Sequence, residues 1–342
     1  MDFKEDCLAG SPTVVDLFCG AGGMSEGFRM AGYEILLGIE ANTAAGETYR
    51  QNNLDTELLM EDIRHIKAEV LLEKLGGRNI DVVVGGPPCQ GFSHANTRKR
   101  KNDRRNRLYL EYVRIVKILR PKFFVMENVS GFLKAMDGNR LIINNIRRLL
   151  PEYSIEGQIL TASDYNVPQK RKRAFLIGRR GGGNIRFPEK SIDLSGIAVK
   201  NVLIPREGVN RNLFYSKRLI KGFKRRERRN RVRGVGFGWQ FLDPEKPSYT
   251  IPARYYKDGS NALVKYSENK IRMLDTSECA SIQGFPKGYI FAGSRVDTYR
   301  QIGNAVPPPV AKRVAWAIKK LLFEEVEVKQ LQVVSLVENH GE

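Results

Sequence analysis

Four short segments carry residues whose types and spacing suit chemistry. The first, DLFCGAGG (residues 16–23), is an apolar run that ends in a glycine-rich turn and opens a helical pattern. Glycines there let a cofactor approach the backbone and the helix N-terminus. The run EILLGIE then closes with Glu40, about 20 residues on, a spacing that suits a carboxylate on ribose hydroxyls. An ordinary strand–helix turn would show the same glycines, and a nicotinamide enzyme is a rival reading, but GxGxxG is absent. The second segment, GGPPCQGFS (85–93), follows DVVV and sets Cys89 at a strand tip. The alternative for Cys89 is a small buried hydrophobe; beside cations and dipoles its thiolate is a nucleophile. The third, MENVSGF (126–132), follows KFFV and sets Glu127 at a neighbouring tip. Alone, such a glutamate is more often a solvated or capping residue; near a nucleophilic thiol it is a candidate general acid. In the fourth, QKRKRAFLIG (169–178), Arg171 and Arg173 fall at i and i+2, one face of a strand. Two guanidiniums there suit an anion or a carbonyl oxygen, or form a plain basic edge.

Elements that could hold these residues alternate along the first half of the chain. TVVDLF, EILLGIE, DVVVGG, KFFVMEN and RAFLIGRR read as strands buried on both faces, as a parallel sheet requires. Between them helices are expected over 25–30, 44–52, 69–75, 109–119 and 139–150. The fourth of these has a stripe of Leu110, Val113, Val116 and Ile118, stopped by Pro121. The order predicts a doubly wound α/β domain. Residues 181–183, all glycine, read as a hinge, and the stretch to about 272 as irregular and basic. Residues 217–233 hold ten Lys and Arg against one acid, Glu227. Val310, Val314, Ile318 and Leu321 mark a final helix that returns to the first domain. The expected division is 1–184, 185–270 and 271–342.

Composition narrows the function classes. The 342 residues carry 57 Lys and Arg against 38 Asp and Glu, a formal charge of +19, with 42% hydrophobic residues. That supports a sizeable core and a polyanionic partner, most simply nucleic acid. Four cysteines and three scattered histidines without CxxC or HxxxH argue against a disulfide scaffold and a metal site. No apolar run reaches the ~18–20 residues of a bilayer span, and MDFKEDCLAGSP does not read as a signal peptide. The expectation is a soluble intracellular protein with no membrane partner.

Together the motifs resemble the DNA (cytosine-5)-methyltransferase family. Its cofactor turn, Pro-Cys-Gln loop, Glu-Asn-Val motif, Gln-x-Arg-x-Arg strand and late Gly-Asn-Ala-Val-Pro (303–307) all occur here in order, over about 13–180 and 270–325. The resemblance implies a Rossmann-like S-adenosylmethionine-dependent methyltransferase domain, doubly wound on a mostly parallel sheet, with a smaller irregular DNA target-recognition domain. It implies Cys89 as nucleophile, Glu127 as acid and Arg173 on the pyrimidine carbonyl, with Arg171 and Gln169 in support. For S-adenosyl-L-methionine it implies Phe18, Gly20, Gly22, Gly23, Glu40, Asp62, Ile63, Pro88, Leu108, Asn304 and Val306, the product being S-adenosyl-L-homocysteine. Residues 91–107 match the family's mobile catalytic loop, here unusually basic; Gln90, Ser93 and Arg105 would meet DNA. Arg225, Arg226, Arg228, Arg229, Arg254 and Tyr256, in the region assigned to recognition, are further DNA-contact candidates. The favoured base-reading loops are 234–239, 247–251 and 254–256. One departure stands out: where the family reads Arg-Glu-x-Ala-Arg-Leu-Gln, this chain has Ser277-Glu278-Cys279-Ala280-Ser281-Ile282-Gln283. Both arginines thought to brace the recognition domain are serine.

The reaction implied is methyl transfer to C5 of a cytosine flipped out of a specific double-stranded DNA site, through a covalent Cys89–C6 adduct and without metal. A monomer is expected, cytoplasmic and nucleoid-associated in a prokaryotic cell, given a compact chain with no regulatory extension. The sequence leaves open whether a cognate restriction endonuclease acts separately or the enzyme is an orphan. The nearest alternative is the family's tRNA-cytosine branch, whose Cys-Phe-Thr signature is missing from the second region. A non-catalytic DNA-binding regulator would have lost Cys89, Glu127 or Arg173, and all three are present. A bare thiol enzyme leaves Glu40, Asp62 and the basic region unexplained.

Overall fold

β-branched and aromatic runs bounded by Gly, Pro and Asn become the strands of a seven-stranded sheet. The computed structural model describes residues 10–88, 107–137, 139–191, 195–234, 239–257 and 259–338, with side chains to 324. The sheet strands are β1 (Thr13–Leu17), β2 (Glu34–Ile39), β3 (Glu57–Leu59), β4 (Val82–Gly85), β5 (Phe123–Val129), β8 (Tyr153–Thr161) and β9 (Lys172–Arg180), in the order β3-β2-β1-β4-β5-β9-β8. A small hairpin, β6 (Met136–Asp137) and β7 (Arg140–Leu141), precedes α5 (Ile142–Leu149). All sheet strands run the same way except β9, antiparallel to both β5 and β8. RAFLIGRR is therefore a buried strand in reverse direction, because buried apolar runs look alike in either sense. The sheet stays mostly parallel, as expected.

Alternation along the strands fills two cores. Val15, Leu17, Val83, Phe124 and Met126 face one side, with α3 (Ala68–Leu75), α4 (Leu108–Leu119) and α5 packed on them. Val14, Val82, Val84, Phe123 and Val125 face the other, under α1 (Gly23–Arg29) and α9 (Pro308–Glu338). The period of two in a strand makes this division unavoidable. Val310, Val314, Ile318 and Leu321 all enter that second core. The buried face of α4 is Tyr109, Tyr112, Val113, Ile115 and Val116, whereas Leu110 and Ile118 are only half-buried. The expected aliphatic stripe was misaligned because Tyr112 enters the core whole, its hydroxyl donating to Val83 O and Val125 O at 2.9 Å. The helix expected over 139–150 starts only at Ile142, after the hairpin.

A third core begins at Val199 and runs through α6 (Lys217–Val232), β10 (Leu263–Ser267), β11 (Lys270–Met273), α7 (Thr276–Gln283) and α8 (Arg295–Asn304), ending at Ile302. It straddles the expected boundary after 270, since Ile271, Met273 and Leu274 pack with Cys279, Ile282 and Tyr299. The basic run is not irregular: Ser216 caps it, accepting from Leu219 N at 3.2 Å, and Ile220 and Phe223 bury its inner face. The three glycines of 181–183 all take left-handed φ. No helix among the described residues is long and apolar enough to cross a membrane.

Candidate active site

Strand order reverses between β1 and β4, and ligands of open α/β sheets bind outside the strand tips at such a point. At the β1 tip, Phe18, Gly20 and Gly22 take φ of +57°, +56° and +84°. This conformation comes cheaply only to glycine, so the strained Phe18 marks a tightly determined turn. Gly23 must stay small because a Cβ would stand 2.3 Å from Val306 O. Beneath the turn, buried Asp16 accepts from Ser25 Oγ at 2.6 Å and Ser25 N at 3.2 Å, and Ser25 Oγ lies 2.9 Å from Tyr49 Oη. Burial pushes the Asp16 carboxyl up to about 7.

Glu40, just past the β2 tip, accepts from Gly20 N at 2.9 Å and Asn42 N at 2.7 Å, one bond on each oxygen. Burial raises its pKa against those two bonds. A carboxylate offers about four lone-pair sites, so it can still accept from a diol. Beyond β3, Asp62 caps a short 3₁₀ turn, accepting from Arg64 N at 3.0 Å, and pairs with the Arg64 guanidinium at 2.5 Å. The Arg64 bonds bring its carboxyl down to about 2. Ile63 is buried beside it, while Leu108 is half-buried and Pro88 exposed. Asn304 is exposed at the end of α8 and Val306 is buried.

At the tips of β4 and β5, Gly85 lies so close to β1 that a Cβ would meet Leu17 O at 2.2 Å. Asn128 Nδ2 holds the Pro87 carbonyl at 2.9 Å, and the place of a Gly86 Cβ is 3.0 Å from Glu127 Oε2. Glu127 is thus set against the loop that reaches Cys89 three residues later. Cys89, Gln90, Ser93 and Arg105 themselves lie outside the described residues. Because β9 runs antiparallel to β5, Arg173 pairs in register with Val129, and its Nε comes within 3.0 Å of Glu127 Oε1. That oxygen has charge contact but no well-aligned donor among the described residues. Burial pushes the Glu127 carboxyl up, opposed first by Arg173 and then by Arg171. The reversed strand is what brings the fourth motif to the third.

Arg171 and Gln169 play a different part. Fully buried Arg171 donates to Ile251 O, Gly303 O and Ala305 O at 3.2, 2.8 and 3.0 Å. Gln169 donates to Gln283 Oε1 at 2.6 Å and accepts from Ile251 N at 3.1 Å. They tie β9 to the third core, with the 247–251 segment running alongside through Lys170 N to Ser248 O at 2.8 Å. A C-5 cytosine-specific DNA methylase family model matches residues 12–320.

The chain belongs to that family.

The methylase is 35% identical over 331 residues to the Type II methyltransferase M1.HphI of Haemophilus parahaemolyticus, covering 92% of this chain and 88% of that one. It is 33% identical over 333 residues to M.NgoPII of Neisseria gonorrhoeae, covering 90% and 96%. Among solved structures, an E. coli prophage-encoded protein described as a DNA modification methyltransferase aligns with TM-score 0.70 at 27% identity, over 91% of this chain and 99% of that one. DNMT2 of Spodoptera frugiperda aligns with TM-score 0.71 at 20% identity, over 90% and 99%, a likeness of fold.

Close to Ser277 and Ser281 lies a buried ion pair. Arg272 and Glu278, both 0% exposed, pair through two bonds of 2.7 and 2.8 Å. Glu278 also accepts from Ile204 N and Asp275 N, each at 2.8 Å. Arg272 of β11 thus supplies the charge that pairs with Glu278 at the head of α7. The sequence signal was an arginine inside the apolar run IRML. The DNA-contact candidates lie elsewhere: Arg225, Arg228 and Arg229 are exposed on α6, while Arg226 stacks 4.9 Å from the Phe223 ring. Arg254 is exposed; Tyr256 is half-buried under Arg300 at 5.5 Å.

Proposed function

We propose that this methylase transfers a methyl group from S-adenosylmethionine to C5 of a cytosine flipped out of a specific double-stranded DNA site. The observation that carries it is the pairing of buried Glu127 with half-buried Arg173 at the rim of the sheet, facing the loop that leads to Cys89. The turn at 18–23 and Glu40 fit a nucleoside cofactor: space above Gly20 is open, its nearest neighbour being Phe18 O at 3.9 Å, and Glu40 retains acceptor capacity. These residues, with Asp62 and Ile63 by resemblance, would hold the cofactor, which supplies an electrophilic methyl group when bound.

C5 of cytosine is too weak a nucleophile unless a thiolate first adds to C6. Cys89 provides that thiolate. Addition drives electron density onto N3 and O2. Glu127, whose carboxyl burial shifts towards the protonated form, donates at N3, and Arg173 donates to O2. Once C5 carries the methyl group, a base takes the C5 proton, Cys89 leaves as thiolate and N3 returns its proton to Glu127, which restores the ring. Flipping costs a few kcal/mol, offset by phosphate contacts from the basic loop and from α6. Residues 185–270 act as the recognition domain. The protein works as a monomer on nucleoid DNA in the cytoplasm.

Methyl transfer from labelled S-adenosylmethionine to duplex DNA and to tRNA, measured side by side, tests this reading. Label is expected on DNA cytosine, to vanish in Cys89→Ala with DNA binding retained, and to be trapped on 5-fluorocytosine duplexes. Label on tRNA alone, or full activity in Cys89→Ala, refutes it.

A further inference from the structure

The turn at the head of α1 is held from above as well as from below. After α7 the chain crosses back over α2 (Thr43–Asn52) and is fastened to it. Asn52 donates to Ile290 O at 2.8 Å and accepts from Ile290 N at 3.0 Å. Thr48 Oγ1 accepts from Ala292 N at 2.8 Å and donates to Gln301 Oε1 at 2.6 Å, while Gln301 returns a bond to Ala292 O at 2.9 Å. This strap carries Tyr289, whose ring packs with Phe285 and Phe291 at 4.7 and 5.4 Å between centroids. Its hydroxyl donates to Ala21 O at 2.5 Å.

That bond falls on a sensitive peptide. Gly22 N is bonded to Cys19 O at 2.8 Å, so the Ala21–Gly22 peptide is pinned at both its N–H and its C=O. Gly22 stands at φ +84°, and a Cβ there would lie 2.7 Å from Tyr289 Oη. A glycine with positive φ next to a peptide bonded on one side only can rotate that peptide plane at little cost. The turn's amides would then no longer keep one orientation. Burial pushes the Tyr289 hydroxyl well above its ordinary range, so it remains a donor at any working pH.

We propose that Tyr289 is a positioning residue for the methyl donor. Its hydroxyl fixes the Ala21 carbonyl and so presets the turn that receives the cofactor. The inference rests on the function proposed above in placing S-adenosylmethionine at this turn. It acts through backbone geometry, so it should strengthen cofactor binding without touching the chemical step.

Tyr289→Phe removes the hydroxyl and keeps the aromatic trio. Calorimetric titration with S-adenosylmethionine and S-adenosylhomocysteine is expected to show both binding about 3–10-fold more weakly, the scale of one lost hydrogen bond. The KM for the donor should rise by a similar factor, with kcat at saturating donor unchanged. Wild-type affinity in the Phe variant, with or without a lowered melting temperature, overturns the proposal and leaves Tyr289 a packing residue. A fall in kcat with unchanged KM overturns it too. A wild-type protein that binds neither nucleoside overturns the cofactor reading itself, before the variant is compared.

Discussion

The basic helix α6 makes a measurable prediction about how DNA is held. Ile220 and Phe223 turn inward, and exposed Glu227 on the same side accepts from Trp239 Nε1 at 3.0 Å. At about 100° per residue, the opposite face then carries Arg218, Lys221, Arg225, Arg228 and Arg229, all exposed. Lys224 and Arg226 flank it, the first paired with Glu268 at 3.0 Å and the second stacked on Phe223. From 218 to 229 the stripe is roughly 16 Å long at ~1.5 Å per residue, room for about three phosphates along one strand. Each phosphate neutralised contributes about −0.9 to the slope of log K against log salt. Replacing Arg225, Arg228 and Arg229 with Gln should therefore flatten that slope by about 2–3. Between 50 and 200 mM salt the wild type would lose roughly 15–60-fold more affinity than the variant. Fluorescence anisotropy on a labelled duplex over that range gives both slopes. Affinity should drop about equally on cognate and scrambled duplexes, because phosphates carry no sequence information. Equal slopes would show that the stripe is merely solvated. A loss confined to the cognate duplex would make these arginines base readers and refute the phosphate argument.

Three further outcomes follow from the site and its supports. Glu40→Ala should weaken S-adenosylmethionine binding by about 1–3 kcal/mol in calorimetry, the scale of charge-assisted hydrogen bonds; unchanged affinity would remove Glu40 from the pocket. Glu278→Gln leaves the Arg272 guanidinium buried against a neutral amide and should cost about 3–5 kcal/mol in denaturant unfolding, with Arg272→Met plus Glu278→Gln less harmful than the sum of the single changes. Asp16 folds with its carboxyl raised to about 7 from 3.8, so folding takes up a proton; its contribution is complete below about pH 4 and is lost as pH rises through 7. Asp16→Asn should accordingly flatten the fall in melting temperature between pH 4 and 8, and an unaltered pH profile would contradict a buried neutral Asp16.

Chemistry was legible in this sequence where consecutive residues leave a strand tip together. The turn after β1, Glu40 after β2 and Glu127 at the end of β5 each follow a short apolar run, so local pattern alone places them on one rim. What joins them was not legible. Nothing in RAFLIGRR announces that it runs backwards, yet only the reversed β9 puts Arg173 opposite Val129 and beside Glu127. Tyr109 and Tyr112 fall outside the aliphatic stripe, yet two backbone carbonyls satisfy the Tyr112 hydroxyl and let its ring enter the core. Arg272 was visible as a charge in an apolar strand, but its partner six residues on became apparent only with the turn into α7. Tyr289 lies 268 positions from Ala21, and no periodicity links the two. The asymmetry has a physical cause. A reacting group needs a tip and an orientation, which a strand end supplies within a few residues, whereas holding that tip to a fraction of an ångström needs hydrogen bonds from whatever chain happens to pack against it. In this fold that chain is the stretch from 247 to 305, which grips β9 through Arg171 and Gln169 and reaches the β1 turn through Tyr289. The region beside the proposed recognition elements is thus also the brace of both halves of the site.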